Sequence, residues 1–124
     1  MMEFILTESE FNEDNTAWNG NRFLMGNGYF GIRGTLEEYT KKQMCAVNMA
    51  GIYDKMGNSW RESVNAPNPL YTYIKVNGKI YALPDEKPKF HQQELDFRYG
   101  IHSRVTHWQT EHGNITVVCE RFAS

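Results

Sequence analysis

The stretch Phe23–Glu38, FLMGNGYFGIRGTLEE, sets four glycines among aromatic residues, a single arginine and a closing pair of carboxylates. Three local structures compete for it: a phosphate-cradling loop, a catalytic segment and a tightly turned piece of β-structure. A phosphate loop requires G-x-x-x-x-G-K-[ST] between a strand and a helix, and no such lysine is present. Gly26, Gly28 and Gly31 do spell G-x-G-x-x-G, but nothing helical follows them and the chain lacks the strand–helix alternation of a dinucleotide fold. The hairpin reading meets neither objection. Asn27-Gly28 stands between RFLM and YFGIRG, and both residues accept the positive φ that a type I′ turn demands. In the second strand Tyr29, Gly31 and Arg33 share one face and Phe30, Ile32 and Gly34 the other. Glycine weakens a strand interior, so Gly31 and Gly34 are expected where backbones approach closely or a bulge forms. Arg33 between them is expected to lie on an aromatic face or to reach a buried carboxylate or carbonyl.

The same pattern extends outward. In TYIKVNGKIYAL, residues 72–83, Asn77-Gly78 is flanked by alternating runs and predicts a second hairpin. RVTHWQTEHGNITVVCERF, residues 104–122, predicts a third. Val105, His107 and Gln109 point one way, Thr106, Trp108 and Thr110 the other, and the turn falls around His112-Gly113-Asn114. LDFRYGI, residues 95–101, alternates Leu95, Phe97, Tyr99 and Ile101 and reads as a further strand. Residues 51–70 and 83–91 hold all four prolines and read as loops. No stretch sustains a 3.6-residue apolar repeat. TLEEYTKKQM, residues 35–44, is the one place for a short helix, and a strand followed by a turn fits it equally. The expected fold is therefore all-β: a single hairpin-rich antiparallel domain over residues 1–124.

Composition narrows the functional classes. A chain of 124 residues suits one domain and can bury a core without disulfides or a metal. Thirteen basic and fifteen acidic residues are interspersed for a net charge of −2, so the basic stripe of a nucleic-acid binder is missing. No run is long enough to span a membrane, and MMEFILTESEFNEDN carries acids where a secretory signal needs a basic region. Cys45 and Cys119 are far apart and share no motif, which predicts two reduced thiols and a cytoplasmic setting. His91, His102, His107 and His112 show no metal-ligand spacing, so no metal is expected. Aromatic residues, at 14%, fit either a β-rich core or a sugar-binding surface.

LMGNGYFGIRGTLEE also resembles the N-terminal signature of glycoside hydrolase family 65, the maltose-, trehalose- and kojibiose-type disaccharide phosphorylases, whose phrase reads L-G-N-G-Y-x-G-x-R-G-x-x-E-E. AGIYD at residues 50–54, VNAPNPLYTYIKVNG at 64–78, ELDFRYGIHSRVTHW at 94–108 and ITVVCERFAS at 115–124 resemble successive segments of the same family. The resemblance makes the expected antiparallel domain a β-sandwich, the first part of a β-supersandwich of galactose-mutarotase-like type, placed ahead of a helical linker and an (α/α)6 barrel. In that family the catalytic glutamate and the phosphate-binding loop lie in the barrel, outside the matching segments. It therefore implies a non-catalytic scaffold that supports the barrel, lends a loop to the active-site rim and contributes to a dimer interface. The parent reaction implied is inverting phosphorolysis of an α-glucosidic disaccharide. Inorganic phosphate is its co-substrate, and no cofactor is expected of this chain.

The site candidates follow from residue type. Glu37 and Glu38 are not promoted to a catalytic pair, because neighbours on a strand face opposite ways; they are expected to be solvated or paired with Arg33. Trp18 and Trp60 lie in polar, loop-like contexts and are the candidates for stacking on sugar, whereas Trp108 is expected in the core. Asn65 and Asn68 bracket Pro67 in a stiff amide-rich loop that suits substrate contact or a plain proline-shaped turn. Gly26, Asn27, Gly28, Gly31, Arg33 and Gly34 are expected to be structural. The competing reading is a freestanding carbohydrate-binding module. VVCERFAS, residues 117–124, keeps its strand pattern; as half of a larger sandwich it would leave a sheet edge and an apolar face uncovered, and self-association or poor stability of the isolated chain is expected.

Overall fold

A computed structural model describes residues 4–124, so the first three residues of the acidic N-terminal stretch lie outside the described part. Among the described residues ten strands form three antiparallel sheets. The largest runs in the order β1 (Ile5–Glu8), β8 (Phe90–Asp96), β9 (Ile101–Thr110) and β10 (Gly113–Phe122). A second sheet orders β2 (Met25–Gly26), β3 (Phe30–Ile32), β4 (Val47–Asp54) and β5 (Glu62–Asn65). β6 (Ile74–Val76) and β7 (Lys79–Tyr81) pair by themselves. The all-β, hairpin-rich expectation holds.

The large sheet buries one face, and its register fixes which side chains share that face. Leu95 stands opposite His102, Gln93 opposite Arg104 and His91 opposite Thr106; on the next strand Arg121, Cys119, Val117 and Ile115 continue the rows. At one end this face is apolar. Trp108 joins Leu36, Tyr39, Cys45, Tyr81 and Leu83 in the core, with Ile115 and Val117 packed against it. The Trp108 indole N–H donates to the Glu86 carbonyl at 3.0 Å, which satisfies its one polar atom. At the other end the same face is polar, with His91, Gln93, His102, Arg104 and Thr106 all buried.

The hairpins differ in their turns. Asn77 (φ 48°) and Gly78 (φ 86°) both take positive φ, the I′ pattern expected. At the quoted stretch only Gly28 does (φ 86°), and Asn27 instead accepts the Tyr29 and Phe30 amides on its side-chain oxygen. Asn27 and Phe30 close the loop, so Gly28 is its first central residue, the glycine-first pattern of type II′ rather than I′. LDFRYGI is not one strand. Asp96 ends β8 and caps a turn by accepting the Arg98 and Tyr99 amides, Gly100 takes φ 64°, and Ile101 begins β9. The stretch 51–70, read as loop because of its prolines and glycines, contains the second half of β4 and all of β5. The two strands pair with a register shift between Asn48 and Tyr53, where Gly51 at φ 87° takes up the irregularity. Residues 83–91 likewise contain the start of β8.

Helix is sparse. Thr16–Arg22 forms α1, which carries no apolar repeat and so left no periodic signal. Residues 35–44 supply only the 3₁₀ turn Lys41–Gln43, closed by a Thr40/Gln43 capping box. Gly34 explains why α1 sits against the glycine-rich hairpin. Its N–H donates to the Gly20 carbonyl at 2.8 Å, and a Cβ at Gly34 would lie 2.3 Å from the Phe23 carbonyl carbon. Gly31 is different: its nearest neighbour to such an atom is the Met25 carbonyl oxygen at 3.7 Å, an ordinary contact.

Gly34→Ala is therefore expected to lower unfolding free energy by about 1–3 kcal/mol through overpacking, while Gly31→Ala stays within about 1 kcal/mol of the parent. Urea unfolding of the two variants side by side checks this difference.

Candidate functional site

The polar end of the large sheet is built around one guanidinium. Arg104 on β9 donates from Nη1 to Glu37 Oε2 at 2.8 Å and to Glu38 Oε2 at 2.5 Å, and from Nη2 to Glu38 Oε1 at 2.7 Å. Its Nε–H reaches Thr106 Oγ at 3.0 Å. Side-chain exposure is 1% for Arg104, 11% for Glu37 and 4% for Glu38, so this is a buried ion triad. The expectation for the two glutamates is corrected here. They are neither solvated nor paired with Arg33. Residues 37–38 lie in a turn, not a strand, which frees both side chains to converge on one partner. Glu38 also accepts the Leu83 amide at 3.2 Å, tying in the segment after β7.

The network continues through groups that the sequence reading did not single out. Arg121 on β10 lies 3.1 Å by Nε from Glu37 Oε1, and its Nη1 donates to the Thr35 carbonyl at 2.8 Å. Arg121 Nε–H also points to His102 Nδ1 at 3.2 Å. Because arginine only donates, His102 accepts at Nδ1, and its Nε2–H is left to donate to Gln93 Oε1 at 3.1 Å. Gln93 and the Asn19 amide of α1 each donate to Glu8, and His91 Nε2 stands 3.8 Å from the same carboxylate. One signal for this was present in the sequence. If Trp108 is core, Thr106, Arg104 and His102 share its face by strand alternation, and a buried arginine requires acids nearby.

The electrostatics follow from burial and these partners. Burial raises the Glu37 carboxyl, but Arg121 and Arg104 outweigh it and hold the group below the ordinary carboxylate value. Burial raises Glu8 too, but the nearby His91 and the hydrogen bonds from Gln93 and Asn19 outweigh it and hold the carboxyl below its ordinary value. Burial, reinforced by the charge of Arg121, drives His102 down to about 3. Burial pushes the Tyr39 phenol up to about 12 and, with Glu37 beside it, the Cys119 thiol to about 11. Near neutral pH the carboxylates are thus charged and the imidazole neutral, with thiol and phenol protonated. A general acid or base works best near its operating pH, and none of these shifts brings a group there. Glu37 and Glu38 also share one guanidinium nitrogen, whereas glycosidic chemistry needs carboxyls on either side of a scissile bond about 5–9.5 Å apart. The arrangement is that of a clasp between the signature stretch and the sheet.

The remaining residues of interest fall elsewhere. Arg33 Nη2 donates to the Ala17 carbonyl of α1 at 2.6 Å, an exposed carbonyl and not the buried partner expected of it. Asn65 is spent on backbone, accepting the Val47 amide at 2.8 Å and donating to the Cys45 carbonyl at 3.2 Å. Asn68 accepts the Leu70 amide at 3.0 Å and donates to the Tyr39 carbonyl at 3.4 Å. Both amides border a cleft of about 490 Å³ lined also by Tyr39, Lys41, Pro67 and Tyr71. Trp18 sits on α1 rather than in a loop and is 63% exposed, while Trp60 occupies the loop between β4 and β5. The structure therefore places the two tryptophans on separate elements. Cys45 and Cys119 are free thiols. Among the described residues no group of three or more His, Cys, Asp or Glu is placed to hold a metal, and no helix is long and apolar enough to cross a membrane.

The clasp predicts acid lability. His102, Glu37 and Glu8 all have folded values below their unfolded ones, so the unfolded chain takes up protons first as pH falls. Stability is fully present above about pH 6.5, the ordinary histidine value, and declines as pH drops toward 3. In His102→Gln the decline should begin only near the ordinary carboxylate value of 4.5. Urea midpoints measured across this range check both the onset and its displacement.

Residues 6–124 match the family described as Glycosyl hydrolase family 65, N-terminal domain. Nigerose phosphorylase of Lachnoclostridium phytofermentans is 53% identical over 123 residues, a span that covers 99% of this chain and 16% of that protein. Kojibiose phosphorylase of Halothermothrix orenii is 33% identical over 98% of the chain and 16% of its own length. A solved structure of a human-microbiome protein, provisionally assigned as a kojibiose phosphorylase, superposes with a TM-score of 0.85 at 21% identity, over 96% of this chain and 17% of that one, and so shares its fold. The chain thus spans a small part of the relatives it matches, and it belongs to glycosyl hydrolase family 65 as an N-terminal domain.

Proposed function

We propose that this domain is the non-catalytic scaffold of a disaccharide phosphorylase acting on an α-glucoside, with the chemistry carried by a separate catalytic barrel of the parent polypeptide. The observation that carries the reading is the clasp. The carboxylates of the signature stretch are buried and committed to Arg104 and Arg121, so they hold the fold instead of facing a substrate. Relatives named as nigerose and kojibiose phosphorylases support the reaction class, and two free thiols suit a cytoplasmic setting. In the parent, inorganic phosphate is the co-substrate and attacks the anomeric carbon opposite the leaving oxygen, which a barrel acid protonates. This domain supplies neither group and needs no cofactor.

A freestanding carbohydrate-binding module is the competing reading. It requires an exposed aromatic platform with free amides beside it. Trp18 and Trp60 lie on different elements, and the amides of Asn65 and Asn68 are engaged with backbone. The scaffold reading predicts no phosphate-dependent turnover of nigerose, kojibiose, maltose or trehalose by the pure chain, and no calorimetric heat with the same sugars. Turnover would contradict it outright. Sugar binding abolished by Trp60→Ala would transfer the reading to the binding module.

A further inference from the structure

The β4–β5 hairpin is an arm without a core. Of its strand residues only Val47 is buried; the other seven of β4 and all four of β5 are exposed. Its root, Val47–Met49, pairs with β3, but beyond that pairing it runs on, among the described residues, as a two-stranded ribbon, an arrangement that is marginal by itself in water. Its surface is nevertheless apolar. Met49, Ile52 and Tyr53 are open to solvent along β4, and at the tip Met56 and Trp60 are 87% and 88% exposed. Asp54, Lys55, Arg61 and Glu62 flank that tip on either side. An aromatic and a thioether at the centre with charges around them is the composition of an interface core and its polar rim.

We infer that this arm is the surface through which the domain docks on the remainder of its own parent polypeptide. The inference rests on the scaffold reading above and names the contact that reading leaves open. The occupant is chosen from the matches. Alignment with the nigerose phosphorylase covers 99% of this chain, arm included, yet only 16% of that relative. In such a protein a large body of the same polypeptide is tethered beside the arm, at an effective concentration that a second molecule does not reach. A mixed-charge rim, with both signs within a few residues, suits a fixed protein surface better than an anionic one.

The test grafts this chain onto the nigerose phosphorylase in place of its matching segment, giving a chimera to compare with the isolated chain under limited trypsin digestion. Lys55 and Arg61 are reporters at the arm's tip. Cleavage there should be rapid in the isolated chain and at least about tenfold slower in the chimera. Met56→Ser with Trp60→Ser should restore rapid cleavage in the chimera without moving the thermal midpoint of the isolated chain. Equal cleavage in both proteins overturns the inference; if the chimera still catalyses phosphorolysis, the scaffold reading survives. Loss of activity with the arm still protected counts against the scaffold reading and leaves the arm's docking standing. Protection in the isolated chain that rises with concentration assigns the arm to a second copy and overturns the inference. Should the chimera not fold, digestion of the isolated chain mixed with the relative's remainder decides in the same terms.

Discussion

Everything at the polar end of the domain depends on the charge of Arg104 being neutralised inside the fold. A guanidinium with 1% side-chain exposure is unaffordable alone, and here it is held by two carboxylates presented from one turn. That turn follows directly from the glycine-rich hairpin. Gly34 brings the chain hard against Phe23 and α1, and the next residues carry Leu36 into the core and Glu37-Glu38 onto Arg104. The signature stretch is thus a structural phrase: its glycines set the path and its glutamates lock that path to the sheet.

A buried triad of this kind adds less to stability than its short distances suggest, because desolvating three charges offsets most of their attraction. Its value lies in specificity. An apolar contact between residues 34–39 and the sheet would tolerate sliding, whereas an arginine fork bound to two carboxylates and a threonine fixes the register. The second arginine extends the lock. Arg121 joins β10 to the Thr35 carbonyl and to His102, so an outer strand is held by side chains as well as by its ladder with β9. Gln93 and Asn19 then pass the network to Glu8 on β1, and the polar end of the sheet is tied across all four strands.

Much of this was legible in the residues. Asn77-Gly78, the alternation through Trp108 and the run ITVV fixed two hairpins, because turn chemistry and period-2 patterning are local properties. What failed was reading proline, glycine and charge as loop. Residues 51–70 carry prolines, glycines and charges and look like loop, yet they form an exposed ribbon whose pairing needs no apolar alternation. Phe97 and Tyr99 alternate convincingly but sit in a turn set by Asp96 and Gly100. The pairing of Glu37 and Glu38 with Arg104, across 66 residues or more, has no local trace. Only the prior inference that Arg104 shares the face of Trp108 would have exposed it.

The central claim is that Glu37 and Glu38 exist to neutralise Arg104. Chemical unfolding of Arg104→Met, of the Glu37→Gln, Glu38→Gln pair, and of all three changes together tests it most directly. Removing the arginine alone strands two buried carboxylates and should cost about 3–5 kcal/mol, and neutralising them in the same molecule should recover a large part of that loss. A triple variant whose loss is merely the sum of the separate losses would show that the charges do not depend on one another, and would contradict the account.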